Sequence, residues 1–374
     1  MKKIFPEDKV NLGVSKITPY QPGKSSDSLN INNKKLIKLA SNENPIGPSK
    51  LATEAINQIV EEAHRYPDGN GTKLKHEISK LEEVPLDCIT LGNGSNDLIE
   101  FSARAFLTNG DNALYFKHGF AIYPLAIMAT GADLRELPVT ENYRQDLTSV
   151  INYIDDKSKV VFIASPNNPT GSSNKISEIE AMLNDLPKDL IIFLDQAYFE
   201  YIEEEQYKIS FNLIDKYENL IISRSFSKAH GLAAYRLGYS ISSQKIADYL
   251  NRVRQPFNVS SFALEAGIAS LNDNEHLRKS IDLNQKEKNK LIKFFNIENI
   301  QYLPSQGNFF SFSLGKDSDE TFDDFLNEGI ILRSLKSYNM DRFVRVSIGQ
   351  EFENDSFIEA TKKIKGSINW KNKC

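Results

Sequence analysis

Cysteine is nearly absent: Cys88 and Cys374 are the two in 374 residues. Thiols so far apart make no C-x-x-C pair, no zinc ribbon and no disulfide framework, which points to a reducing compartment. Long apolar runs are lacking too. The N-terminal MKKIFPEDKV places Ile4 and Phe5 ahead of a proline and charges, short of the about 7–15 apolar residues of a secretory signal. The best candidate elsewhere, residues 120–129, contains Pro124 and falls below the ~18 residues a membrane span needs. Nor is there a basic surplus. Lys and Arg number 45 against 50 Asp and Glu, a net charge of −5, which argues against nucleic acid as a partner while allowing a local cationic pocket. The five histidines (His64, His76, His118, His230, His276) show no HExxH or paired spacing, so a histidine-held metal is not expected. No repeat and no low-complexity tract is present.

What remains is ordinary globular usage, 40% apolar and 25% charged, over a length equal to about two or three domains. Residues 1–36 are polar, with Pro19, Pro22 and Gly23, and read as an arm that needs a partner surface. Up to residue 255, short apolar runs (89–91, 113–116, 160–164, 190–194, 220–222) alternate with longer amphipathic segments. Runs of this kind, bounded by turn residues, suit strands buried on both faces of a parallel sheet with helices between them. Beyond Pro256, helical stretches at 274–295 and 321–328 accompany strand-like 309–314 and 343–348. The expected division is an arm at 1–36, a large α/β domain at 37–255 and a smaller α+β domain at 256–374.

In open α/β sheets ligands collect outside the carboxyl ends of the strands. Here those ends carry Gly92-Asn93-Gly94-Ser95-Asn96, then His118-Gly119-Phe120, then Ser165-Pro166-Asn167-Asn168, then Asp195-Gln196-Ala197-Tyr198, then Ser225-Phe226-Ser227-Lys228. An anion nest, an aromatic ring, an amide, a carboxylate and an amine are thereby expected to converge. The glycine loop precedes a helical pattern, a place that favours phosphate; it fails GxGxxG and has no GK[ST] ending, so alone it reads equally as a tight turn. Lys228 follows a buried run, where desolvation lowers an amine's pKa and leaves it nucleophilic. Arg236 adds a permanent cation beside two hydroxyls. Asp195 ends the most apolar run and needs a partner there: it is either a helix cap or the counter-ion of a protonated pyridine nitrogen.

The segment Ser225-Phe226-Ser227-Lys228-Ala229-His230-Gly231-Leu232, continuing to Arg236-Leu237-Gly238-Tyr239, resembles the lysine motif of fold-type I pyridoxal-phosphate aminotransferases. Within that superfamily the chain is most similar to the histidinol-phosphate aminotransferases. The likeness runs almost end to end, through Leu39–Pro45, Arg65-Tyr66-Pro67-Asp68, the Asn-Asn-Pro-Thr-Gly stretch at 167–171, Arg254–Val259 and Arg345–Gly349. It implies a large domain with a mostly parallel seven-stranded sheet between helices, plus a smaller α+β C-terminal domain. It also implies pyridoxal 5′-phosphate as cofactor, small amino and keto acids as substrates, a cytoplasmic enzyme, and a homodimer with shared sites. By the same resemblance Lys228 binds the cofactor aldehyde and shuttles a proton, Asp195 holds the pyridinium, and Tyr198 and Asn168 contact its phenolic oxygen. Phe120 is implied to stack on the ring, and Gly94, Ser95, Asn96, Ser225, Ser227 and Arg236 to meet its phosphate. Tyr66 is implied to come from the neighbouring subunit. Arg345 would clamp the substrate carboxylate, with Tyr20 and Arg333 near the substrate's distal end.

Two positions depart from the family pattern. Gln196 stands where Glu is usual, leaving both flanking contact residues in place, and His230 stands where Tyr or Phe is common; a satisfied core histidine is the reading for it. Three functions stay open at this level: transamination of histidinol phosphate, transamination of aromatic amino acids, and decarboxylation of a phosphorylated amino acid. They share the lysine, aspartate and phosphate motifs, and the bond broken depends on which one stands perpendicular to the ring.

Overall fold

The computed structural model describes residues 9–19, 36–202 and 212–367. Thirteen strands are described: β1 (Ile37–Lys38), β2 (Ile89–Asn93), β3 (Asn112–Phe116), β4 (Asp133–Leu137), β5 (Ser158–Ala164), β6 (Ile191–Asp195), β7 (Leu220–Ser225), β8 (Leu237–Ser242), β9 (Gln301–Tyr302), β10 (Phe309–Ser313), β11 (Ile330–Ile331), β12 (Arg333–Ser334) and β13 (Val344–Ser347). Seven of them form the main sheet in the order β2-β8-β7-β6-β5-β3-β4. β8 runs antiparallel to both its neighbours, and every other pairing is parallel. Six strands therefore point the same way, and the carboxyl ends of β2, β3, β5, β6 and β7 open on one edge.

Side chains alternate across a strand with period two, and here both faces are covered. Val161, Ile163, Ile192, Leu194, Leu220 and Ile222 join one core, which includes Leu74, Ile78 and Ala263 from flanking helices. Val160, Phe162, Ala164, Phe193 and Ile221 join the other, against Leu98, Ile99 and Phe101 of the helix Ser95–Phe106. This is why the central strands read as unbroken apolar runs. β4 and β8 do not. β4 (DLREL) is an edge strand with a half-exposed face, and β8 (LGYSIS) interrupts its apolar residues with glycine and buried serines.

A separate core, away from the main sheet, is aromatic. β10 and β13 pair antiparallel in a four-stranded sheet, β12-β13-β10-β9. Phe312 lies in it fully buried, stacked on Phe295 at 5.6 Å and edge-on to Phe357 at 5.4 Å and Phe325 at 5.9 Å. Packing crosses the division expected at 255/256. β1 pairs parallel with β11, and Leu39 and Ala40 join the aromatic core, while the helix Ser261–Leu271 lends Ala263, Leu264 and Ala266 to the large one. The reason is ordinary burial: each amphipathic segment follows its apolar face, not its place in the chain. Phe312→Ala should lower the free energy of urea unfolding by about 3–5 kcal/mol, the usual cost of emptying such a site.

Candidate active site

At the end of β2, Gly94 takes φ +77 and a Cβ there would run into the Arg236 guanidinium. The helix that follows begins at Ser95, without a side-chain cap from Gly94, so its first amides face the cleft unsatisfied, where a helix dipole favours an anion. β8 reaches this point closely because a Cβ on Gly238 would fall 2.7 Å from the Ser95 nitrogen. Asp97, the acid of the first turn, is turned back, accepting from the Asn93 amide at 2.8 Å and the Asn258 side chain at 3.0 Å. Across the opening, Arg236 Nη1 donates to Ser227 Oγ at 3.3 Å and to the Ala233 carbonyl at 3.1 Å, and the Ser227 amide donates to Ser225 Oγ at 3.1 Å. Two amides, two hydroxyls and a guanidinium thus make an anion cradle.

Lys228 follows the end of β7. Its Nζ donates to the Ser41 carbonyl at 3.3 Å and lies 5.5 Å from the centroid of the Tyr198 ring. Burial, then the cations of Arg345 and Arg236, push its pKa down to about 8 against the opposing pull of Glu43 and Asp195. Asp195 ends β6 and is buried. Its Oδ1 accepts from the Ala197 amide at 3.0 Å and Ser223 Oγ at 3.4 Å, and its Oδ2 from the Tyr123 hydroxyl at 2.8 Å. Burial still raises its pKa, and among the described residues no ion pair includes it. A buried carboxylate held by neutral donors alone has room for a cationic N–H.

The Tyr198 hydroxyl oxygen accepts from Asn42 Nδ2 at 2.9 Å, which leaves its own proton to be given into the cleft, and burial lifts its pKa to about 12. Arg345 Nη1 donates to Asn168 Oδ1, and its Nη2 donates to the Ala40 carbonyl at 2.7 Å. Since Asn168 Oδ1 is so engaged, its NH₂ is the side turned outward as a donor. Arg333 on β12 is the register partner of Arg345 on β13, so the two side chains stand on one face of the sheet.

One cavity of about 260 Å³ is lined by Ser95, Asn96, Phe120, Asn168, Asp195, Tyr198, Ser225, Ser227, Lys228, Arg236, Arg333 and Arg345. Gly94 lies behind this wall with its backbone against Arg236. Tyr66 is elsewhere, 83% exposed and stacked on Phe257 at 4.8 Å. Tyr20 falls outside the described residues. Gln196 is fully buried away from the cavity lining. His230 is a core residue, with Nδ1 2.9 Å from Ser270 Oγ and a pKa pushed down to about 4 by burial. Ser41, Asn42, Tyr123 and Tyr338 also line the cavity and carry no role in the sequence reading.

An anion cradle at one end and a buried carboxylate held only by neutral donors at the other, with an amine between, fit a phosphate-bearing pyridine aldehyde. Among the described residues no cluster of His, Cys, Asp and Glu suited to a metal is present. A neutral amine is the nucleophile toward aldehydes, so reductive alkylation of Lys228 by a small aldehyde should accelerate about tenfold per pH unit below 8 and level off above it. Peptide mapping of the labelled protein, free of any bound coenzyme, reads this directly.

The chain matches the family described as aminotransferase class I and II over residues 34–360. It is 41% identical to histidinol-phosphate aminotransferase 1 of Idiomarina loihiensis, covering 96% of this chain and 98% of that one. It is 44% identical to histidinol-phosphate aminotransferase 2 of Pseudomonas fluorescens, covering 94% and 96%. In structure it is similar to the histidinol-phosphate aminotransferase of Sinorhizobium meliloti, solved in complex with pyridoxal-5′-phosphate, with a TM-score of 0.88 at 23% identity over 98% and 99% of the two chains. The fold is thus that of these transferases, and the chain belongs to the aminotransferase class I and II family.

Proposed function

We propose that the chain is a pyridoxal-phosphate-dependent aminotransferase that interconverts L-histidinol phosphate and 2-oxoglutarate with imidazole-acetol phosphate and L-glutamate, a step of histidine biosynthesis. The observation that carries the reaction class is the union in one cleft of Lys228, Asp195 and the anion cradle; the substrate rests on relatives above 40% identity over nearly the whole chain. When bound, the cofactor supplies an aldehyde that takes up an amino group and a pyridinium ring that draws electrons from the neighbouring carbon.

The chain's residues do the rest. Lys228 would hold the coenzyme through its amine, and once free that amine could take the proton from substrate Cα; a pKa of about 8 suits such a base near neutral pH. Asp195 would hold the ring nitrogen. The Tyr198 hydroxyl and the Asn168 NH₂, left as donors by their other bonds, would hold the phenolic oxygen. Phe120 would cover one face of the ring. Gly94, Ser95, Asn96, Ser225, Ser227 and Arg236 would receive the cofactor phosphate. In histidinol phosphate the phosphate ester sits one carbon from the amine-bearing carbon, where glutamate carries its carboxylate. Arg345, with its guanidinium oriented by Asn168 and Ala40, then serves both anions, and Arg333 beside it adds the second positive charge that a dianion uses. Tyr20 is assigned to the same end.

The working unit is a homodimer with shared sites. Tyr66 lies outside its own chain's cleft and is exposed beside Phe257, as a residue delivered to a neighbouring subunit would be. The scarcity of cysteine supports a cytoplasmic setting, and among the described residues no helix is long and apolar enough to cross a membrane.

Each half-reaction should run alone in ping-pong fashion; intersecting initial-velocity lines would contradict transamination, and carbon dioxide release from phosphothreonine would favour a decarboxylase. Arg333→Ala should reduce kcat/KM for histidinol phosphate at least about tenfold more than for phenylalanine or tyrosine; equal losses would favour an aromatic aminotransferase. Lys228→Ala and Tyr66→Ala should each be inactive, whereas hybrids refolded from their mixture should recover up to about a quarter of wild-type activity, since half the dimers are hybrids with one intact site each. No recovery would remove the shared site.

A further inference from the structure

Tyr123 has no part in the scheme above, yet its placement is specific. It is 1% exposed. Its ring is stacked on Phe162 at 5.3 Å with 15° between the planes, and stands edge-on to Phe120 at 5.9 Å. Two rings hold the phenol, and its hydroxyl reaches Asp195 Oδ2 at 2.8 Å. Burial and the Asp195 charge raise its pKa far above the ordinary tyrosine range, so it keeps its proton and serves as a donor.

A carboxylate has about four acceptor sites. Tyr123, the Ala197 amide and, at a longer 3.4 Å, Ser223 Oγ occupy three of them. The ionisable groups that face Asp195 are Tyr123 on the helix Ile122–Ala129, Tyr198 in the turn after β6, and Lys228 in the loop after β7. Arg345, Arg236 and Glu43 act on Lys228 in turn, and Tyr338 lies beside the two tyrosines. Among these, Tyr123 makes the shortest bond to the carboxylate.

We propose that Tyr123 is a positioning residue: its phenol, clamped between Phe162 and Phe120, orients the Asp195 carboxylate and keeps it ionised for the ring nitrogen of the coenzyme. This rests on the reading of the cleft as a pyridoxal-phosphate site. A charged hydrogen-bond donor such as Arg or Lys in the same place would neutralise Asp195 and compete with the ring for it. A phenol favours the charged form while leaving the net negative charge in place, which is what an N–H cation needs. The distinction matters because a ring facing a neutral acid would draw electrons less strongly from substrate Cα.

The test uses pyridoxamine 5′-phosphate, which cannot condense with Lys228, and measures its dissociation constant by calorimetry from pH 8 downward. Affinity falls as Asp195 takes up a proton, and a donor to the charged form holds that midpoint low. In Tyr123→Phe the midpoint should therefore move up by about one to two pH units, with affinity at pH 8 nearly unchanged. Replacing Tyr123 by 3,5-difluorotyrosine, a more acidic phenol of similar shape, should move it the other way. Ser223→Ala should move it up, but by less than Tyr123→Phe, in keeping with the longer bond. Packing alone gives no reason for shifts of opposite sign. An unmoved midpoint, or shifts in one direction for both tyrosine replacements, overturns the proposal. Should Tyr123→Phe fail to fold, the difluorotyrosine and Ser223→Ala proteins decide it alone. Absence of pyridoxamine phosphate binding by the wild type would instead overturn the reading of the site.

Discussion

Two opposite charges are held in one cleft without touching, and the rest of the structure is organised around that constraint. Lys228 and Asp195 influence each other at a distance, while their direct partners are neutral: the Ser41 carbonyl for the amine, and an amide, a serine and a phenol for the carboxylate. Burying charges so incompletely paired costs several kcal/mol. A direct ion pair would remove the cost and the chemistry with it. A ligand with an aldehyde, a cationic ring nitrogen and a phosphate satisfies each group at once, so its binding free energy adds to the stability of the fold.

Holding those groups apart takes backbone from both cores. The sheet places Asp195 and Ser225 at adjacent strand ends, and β13 brings Arg345 in from the aromatic core. The segment just after β1 ties them together. Asn42 is 1% exposed with φ 53, a left-handed conformation that asparagine tolerates better than most residues. From there its amide nitrogen donates to Ser347 Oγ at 2.7 Å and its side chain donates to Tyr198. Asn308 Nδ2 donates to its carbonyl at 3.1 Å. Arg236 is also left-handed, at φ 55. Residues held in sparsely populated backbone regions cluster where a ligand must be met from fixed directions.

Much of this was legible in the chain. Five strands, β2, β3, β5, β6 and β7, announce themselves because they are buried and largely apolar, and each ends at or just before a residue that lines the cleft. β4 and β8 were not announced: an edge strand keeps polar residues on its open face, and β8 spends a glycine on its approach to Ser95 and serines on the sheet interior. Nor does the chain announce that β1 and the helix Ser261–Leu271 each pack into the core that lies farther along or back in sequence. The supporting groups were hidden for a related reason. Asn42 meets Tyr198 across 156 residues and Tyr123 meets Asp195 across 72, and no local pattern encodes a bond of that kind.

By itself the sequence determined the class of architecture, the order of the strand-end residues and, through several ordered motifs, the family, because these depend on local periodicity and on which side chains follow which strand. Tertiary structure alone decided the orientation of each donor. Asn168 offers its NH₂ because Arg345 takes its oxygen, Tyr198 offers its proton because Asn42 fills its lone pair, and Arg333 joins Arg345 because β12 and β13 pair in that register. Hydrogen-bond direction is set by the partner on the far side of each group, and those partners come from distant parts of the chain brought together by the packing of two cores.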